Sequence, residues 1–320
     1  MTAVIVIVVL AGVFVLGVYG MYRFCFGEYR ETYPEDNVQQ HMPKGPAYEV
    51  FREAIERGIR NVVEAKEFEV VEIMSADGLK LRGRYYHRQD GAPLVLFFHG
   101  YHGNFFRDGN GIYSYAKKNG INLLLASQRS QGMSEGKTIT FGIKERYDCK
   151  AWVEYAVKRF GDDVKINLFG LSMGAATVMM AADVGLPDNV KGILADCGFS
   201  SPKEIICSVM ESLKLPPKFL YPLVKLGAKW FGRFDPEEAS ALESMKHCNI
   251  PILFIHNEGD NFVPFWMSKK CYDVCSSAEK QFVEVQGKGH GLSWCLEPSK
   301  YQTAMDEFFK KTLEAGPLAR

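Results

Sequence analysis

The sequence predicts an α/β domain on a mostly parallel sheet, and three observations predict it. Short, continuous apolar runs recur along the chain, as expected of strands buried on both faces of a sheet. Helical sequence separates them, giving the alternation that right-handed crossovers turn into a sheet with helices on both faces. One apolar run leads into Gly170, Ser172 and Gly174 of a G-x-S-x-G turn, and small helix-forming residues follow, so a serine sits at a strand–turn–helix tip.

Bulk composition narrows the function classes. The chain has 320 residues, 47% hydrophobic and 24% charged, long enough for one large domain with a well-buried core. Its formal net charge is zero and no basic stripe interleaves with aromatics, so nucleic acid is not an expected partner. Eight cysteines (25, 149, 197, 207, 248, 271, 275 and 295) form no C-x-x-C pair, so no metal site is expected. Small buried thiols in a reducing compartment account for them.

Taken in order, residues 1–22 carry no charged side chain and just reach the ~20 apolar residues that span a bilayer. An uncleaved N-terminal transmembrane anchor is therefore expected. The rival, a signal peptide, would want a positive start and a small-residue cut site. Arg23 and Arg30 follow the span, and the positive-inside tendency puts the globular part on the cytoplasmic side. Residues 28–47 are polar, with Pro34, Pro43 and Pro46, and read as a juxtamembrane linker. From Tyr48 to Phe68 an amphipathic helix is expected, lying on the domain or on the bilayer. Residues 23–67 are thus linker and helix, and 68–313 the domain proper.

Within the domain, strands at 69–74 and 79–86 flank Ala76, Asp77 and Gly78, a hairpin signal. Buried strands at 94–98 and 121–126 come next, then a helix over about 143–160 and the Ser172 unit. Strands at 190–196, 250–256 and 281–285 bring the sheet to eight, and a last helix covers 302–313. Between two of these strands, residues of about 199–247 form an insertion rich in Phe, Leu, Met and Trp, expected to be a helical cap. Its side chains suit an apolar acyl chain, or equally a packed interior.

In a doubly wound sheet, functional groups gather at the carboxyl ends of strands. Ser172 is the candidate nucleophile there. Asp260, in the loop after the 250–256 strand, is the candidate carboxylate that holds a histidine in the correct tautomer; Glu258 is its competitor. His290, in a glycine-rich loop after the last strand, is the candidate base. Six other histidines exist, but only His290 follows both Ser172 and Asp260 in a strand-end loop. The backbone N–H of Met173, and that of Tyr101 after His99 and Gly100, are the candidate oxyanion donors. His99 reads as a prop for that loop. Trp266 and Trp294 either line the pocket or pack beneath it.

The ordered set H-G-x at His99, G-x-S-x-G at Ser172, G-x-D-x-x-V-P at Asp260 and G-H at His290 resembles the α/β-hydrolase superfamily over about 68–313. The loop from Gln128 to Gly136 is similar to that superfamily's loop after the fourth strand, with Ser127 and Ser130 departing from its usual pattern. Thr138 to Gly142, followed by Glu145, Arg146, Tyr147 and Asp148, resembles bacterial, membrane-anchored hydrolases of unassigned substrate. It is also similar to membrane-associated serine hydrolases of acyl-lipids or acyl-proteins. The resemblance implies a serine hydrolase that needs no cofactor, working through Ser172, His290 and Asp260 on a small-molecule or lipid acyl substrate. A carboxylic ester comes first; a protein thioester and a peptide use the same constellation. The reading of another class is a membrane-anchored binding protein on a silent hydrolase fold.

Overall fold

Eight strands form one sheet in the computed structural model, which describes residues 1–30 and 37–313. They are β1 (Glu69–Met74), β2 (Lys80–Tyr86), β3 (Leu94–Phe98), β4 (Asn122–Ala126), β5 (Ile166–Leu171), β6 (Val190–Asp196), β7 (Ile252–Gly259) and β8 (Lys280–Lys288). Their order is β1-β2-β4-β3-β5-β6-β7-β8. The β1–β2 hairpin and the β2–β4 pair are antiparallel, and every later pairing is parallel. The expectation of a mostly parallel eight-stranded sheet holds. All residues of β3, β4 and β5 are buried, which is why these stretches read as unbroken apolar runs.

The principal helices are α1 (Thr2–Phe26), α2 (Arg52–Val63), α3 (Asn110–Asn119), α4 (Glu145–Phe160), α5 (Met173–Ala181), α6 (Pro202–Ser212), α7 (Pro217–Gly227), α8 (Phe265–Val274) and α9 (Pro298–Leu313). Successive side chains of a strand point to opposite faces. Leu94, Leu96 and Phe98 of β3 accordingly pack with Trp152 of α4 and Met179 of α5. Val95 and Phe97 pack instead with Tyr113 of α3 and Phe308 of α9. Because β3 has β4 on one side and β5 on the other, the chain winds away in opposite directions there. That switch opens a crevice at the carboxyl ends of β3 and β5.

Two segments differ from the sequence reading. The apolar helix does not stop at residue 22 but runs to Phe26, and its last turns belong to the domain: Val18, Tyr22 and Phe26 are buried. Tyr22 Oη lies 2.5 Å from Thr138 Oγ1, and Phe26 stands edge-on to Phe141 and Phe234. Burying each such apolar side chain contributes ~1.5–3 kcal/mol. A Cβ on Gly227 of α7 would meet Tyr22 Cβ at 2.9 Å, so that glycine permits the close helix crossing. Tyr29 then pairs with the loop after β4, its N–H donating to Ser130 O at 2.9 Å, and Arg30 donates to the carbonyls of Gly132 and Gly136.

The second difference concerns the expected linker. Of it, Pro34 lies in the stretch 31–36, outside the described residues. From Val38 onward the segment folds onto the domain. Val38, Met42, Ile55, Ile59 and Leu292 form a small apolar cluster, and His41 is buried with its ring 4.6 Å from that of Phe106. Helix α2 thus lies on the domain, one of the two positions its amphipathic pattern allows. The last helix begins at Pro298 rather than 302.

Candidate active site

The turn after β5 is built by what its glycines leave out. A Cβ on Gly170 would sit 2.1 Å from Gly174 O, and one on Gly174 would sit 1.9 Å from Phe98 O. Strand and helix therefore press together as only glycine allows. Ser172 between them adopts φ +56°, ψ −116°, a strained conformation for a residue with a Cβ, and its N–H donates to Asp196 O at 2.8 Å. The turn lifts Oγ above the sheet edge.

Three chain-distant side chains meet there. Ser172 Oγ is 2.8 Å from His290 Nε2, and His290 Nδ1 is 2.7 Å from Asp260 Oδ2. Asp260 is pinned from behind, its Oδ1 accepting the N–H groups of Phe262 at 2.8 Å and Val263 at 3.0 Å. The loop of His290 is fixed at both ends: Tyr48 Oη donates to its carbonyl at 3.0 Å, and Asn257 Nδ2 donates to Gly289 O at 2.8 Å. Gly289 and Gly291, both at positive φ, give that loop its path. Glu258, the competing carboxylate, is exposed at the end of β7.

Electrostatics follow from this geometry. Burial acts to raise the Asp260 pKa, but the His290 charge and hydrogen bonds from His256 and His290 outweigh it, and the carboxyl is lowered. For His290, burial acts to lower the pKa, and the Asp260 charge and hydrogen bond outweigh that, so the imidazole is raised above its ordinary value. Cys197, Asp260 and His290 place their ligand-type atoms within 4.8 Å of one another. Burial, then the charges of Asp196 and Asp260, push the Cys197 thiol well up, so it keeps its proton there.

The expected oxyanion donors flank the serine. Met173 opens α5, where first-turn N–H groups have no partner within the helix. Gly100 draws the Tyr101 loop against the serine, since a Cβ at 100 would lie 3.3 Å from Ser172 Cβ. His99 props this loop: it is buried, Gln128 N–H donates to its Nε2 at 3.0 Å, and its Nδ1 reaches Gly100 O at 2.9 Å.

Several residues at the site escaped sequence reasoning. Asp108 Oδ2 accepts the Gly100 N–H at 2.9 Å while Arg107 Nε donates to Oδ1 at 2.7 Å. His256, set aside among the other histidines, is buried with Nε2 3.2 Å from Asp260 Oδ2 and Nδ1 2.8 Å from Ser268 Oγ. A histidine in a buried strand, four residues before the aspartate, was the available signal. Tyr48 carried none.

Two cavities meet at Ser172, Tyr101 and Phe262. One, of about 350 Å³, is the more polar of the two and takes in Lys44, Arg107, Asp108 and Asn261 beside apolar side chains. The other, of about 500 Å³, is almost wholly apolar. The residues 199–247 supply α6, α7, a π-helical turn (Ala228–Gly232) and a short helix (Ala241–Met245). Ile205, Ile206 and Met210 of this insertion are buried in the interior and also line the apolar cavity. Trp294 lines the polar cavity, whereas Trp266 is exposed beside Lys270.

Comparison with known proteins gives a consistent picture. Residues 93–230 match the α/β hydrolase fold family. The chain is 24% identical to the uncharacterized protein YqkD of Bacillus subtilis over 237 residues, 74% of this chain and 77% of that one. It is 25% identical to the lysophosphatidylserine lipase ABHD12 of Danio rerio over 203 residues, 60% of this chain and 49% of that one. Among solved structures, the esterase Pf2001 of Pyrococcus furiosus superposes with a TM-score of 0.63 at 23% identity, covering 77% of this chain and 92% of its own.

Proposed function

Because this chain belongs to the α/β-hydrolase superfamily, we propose that it is a serine hydrolase of carboxylic esters with Ser172 as nucleophile. One observation carries the reading: the unbroken Ser172–His290–Asp260 hydrogen-bond chain, at 2.8 and 2.7 Å, stands where the two cavities join. His290 Nε2 takes the serine proton as Oγ attacks the acyl carbonyl carbon. Asp260 stabilises the imidazolium, and the N–H groups of Tyr101 and Met173 bind the oxyanion. Collapse of the tetrahedral adduct breaks the ester C–O bond, and His290 returns the proton to the departing alcohol. Water, giving its proton to His290, then attacks the acyl-enzyme; the C–Oγ bond breaks, His290 returns the proton to Ser172 Oγ, and the acid leaves. No metal or organic cofactor enters these steps.

The two cavities suit the two halves of such an ester. An acyl chain fits the apolar cavity, and a polar alcohol portion fits the cavity bearing Lys44 and Arg107. A lipid or other acyl ester is thus favoured over a peptide, and the name of the zebrafish relative, a lipase, agrees with it. The test is turnover of p-nitrophenyl butyrate by the purified full chain. Ser172→Ala is expected to lower kcat by ~10⁴-fold or more with the fold intact. A folded Ser172→Ala variant that keeps wild-type turnover overturns the proposal.

A further inference from the structure

Helix α1 belongs to two environments at once. Toward its start it exposes Val6, Val9, Leu10 and Val13, while Val18, Tyr22 and Phe26 are buried in the domain. Among the described residues it is the one helix long and apolar enough to cross a membrane. Beside the buried stripe, Gly20, Met21, Phe24 and Cys25 form a wall of the apolar cavity that ends at Ser172. Helix residues three, four and seven apart share a face, so Gly17, Gly20 and Phe24 carry that wall outward along the exposed apolar helix.

The cavity rim faces the same way. Phe24 of α1 is 74% exposed and Leu213 of the cap 55% exposed, although both line the cavity. On the cap elements that pack against α1, Phe219 and Trp230 are also exposed, and Lys214 and Lys218 stand open near Phe219. Aromatic rings with lysines are the composition of a membrane–water interface. The first charged side chain along α1 is Arg23, within one turn of the cavity wall, so the rim stands where the helix leaves an apolar phase. Helix and chemistry are also joined directly: Tyr101 Oη donates to Cys25 O at 3.0 Å, from the residue whose N–H is assigned to the oxyanion.

We propose that α1 is a specificity-determining wall of the acyl site as well as a membrane helix. The cavity takes a single acyl chain drawn sideways from the bilayer through the gap between α1 and the cap, and Gly20 sets the length it accepts. This rests on the serine hydrolase reading above.

The test uses the full chain in detergent micelles and p-nitrophenyl esters from butyrate to palmitate. Gly20 lines the cavity and a Cβ there meets nothing within 4 Å, so Gly20→Phe adds a ring at the cavity wall with no clash at its Cβ. Filling the space of several methylenes is expected to lower kcat/KM for palmitate at least ~10-fold more than for butyrate. Met21→Ala, which enlarges the cavity, is expected to shift the optimum to longer chains. Gly12→Phe, farther out on α1 and also in open space, is expected to change neither. Fluorophosphonate labelling of Ser172 is read in parallel. Labelled Gly20→Phe and Met21→Ala variants with the wild-type chain-length profile overturn the role of α1 and leave the hydrolase reading standing. A wild-type chain that takes no label removes the hydrolase reading itself.

Discussion

Replacing Asp260 by asparagine exchanges an oxygen for an NH₂ group, and the surrounding donors dictate where that group goes. Oδ1 accepts two backbone N–H groups, from Phe262 and Val263, so the amide oxygen of an asparagine must stay there. Turning it over would set NH₂ against two donors, at ~1–3 kcal/mol for each buried group left unpaired. The NH₂ therefore takes the place of Oδ2, 2.7 Å from His290 Nδ1. As a donor it forces Nδ1 to accept, which moves the imidazole proton to Nε2. That nitrogen faces Ser172 Oγ at 2.8 Å and can no longer take its proton. In the serine protease triad the equivalent change lowers kcat ~10⁴-fold, about 5.5 kcal/mol of barrier, and the same wrong-tautomer cost applies here. Initial rates on p-nitrophenyl butyrate, with circular dichroism as the check on folding, measure it. A folded Asp260→Asn variant within tenfold of wild type refutes the assignment of Asp260 as the orienting carboxylate.

Three further outcomes can be measured on the same protein. His290 must be neutral to act as base, and its pKa is raised, so kcat/KM climbs with pH through a midpoint above the ordinary ~6.5; a pH–rate profile with its acid limb below that value contradicts the Asp260 pairing. Gly174→Ala would push a Cβ to 1.9 Å from Phe98 O and is expected to cost at least ~3 kcal/mol, read as a lowered Tm. Gly111→Ala, near the start of α3 with nothing within 4 Å, is expected to stabilise by ~0.4–1 kcal/mol in the same melt.

How much the sequence disclosed depended on how local each signal was. The central strands were legible because burial on both faces leaves unbroken apolar runs, as in β3 to β5, and β1, mostly exposed, and β2 because a turn signal stands between them. Ser172 was legible because its strained turn imposes two glycines within five residues, and Asp260 and His290 because each closes a strand in a glycine-bearing loop. Asp108 and Tyr48 were not: each acts through a single hydrogen bond to a backbone atom, Gly100 N on the neighbouring loop and His290 O far away in sequence, and such a bond leaves no residue pattern. The segment after α1 read as linker because it is polar and proline-bearing. Its docking rests on a few apolar residues, Val38 and Met42 among them, whose partners come from α2 and from Leu292. Helix α1 ran past residue 22 because Arg23 points to solvent and interrupts neither the helix nor the buried stripe ending at Phe26. In the cap, composition announced apolar side chains but not their direction: Ile205 and Met210 line the cavity, while Phe219 and Trp230 face outward.

The measurement closest to the central claim is the site of covalent modification when the full chain meets a fluorophosphonate, mapped by peptide mass spectrometry. A single adduct on the peptide carrying Ser172, lost in Ser172→Ala and slowed in Asp260→Asn, is the expected result. An adduct on any other residue, or full labelling of a folded Ser172→Ala chain, contradicts the account.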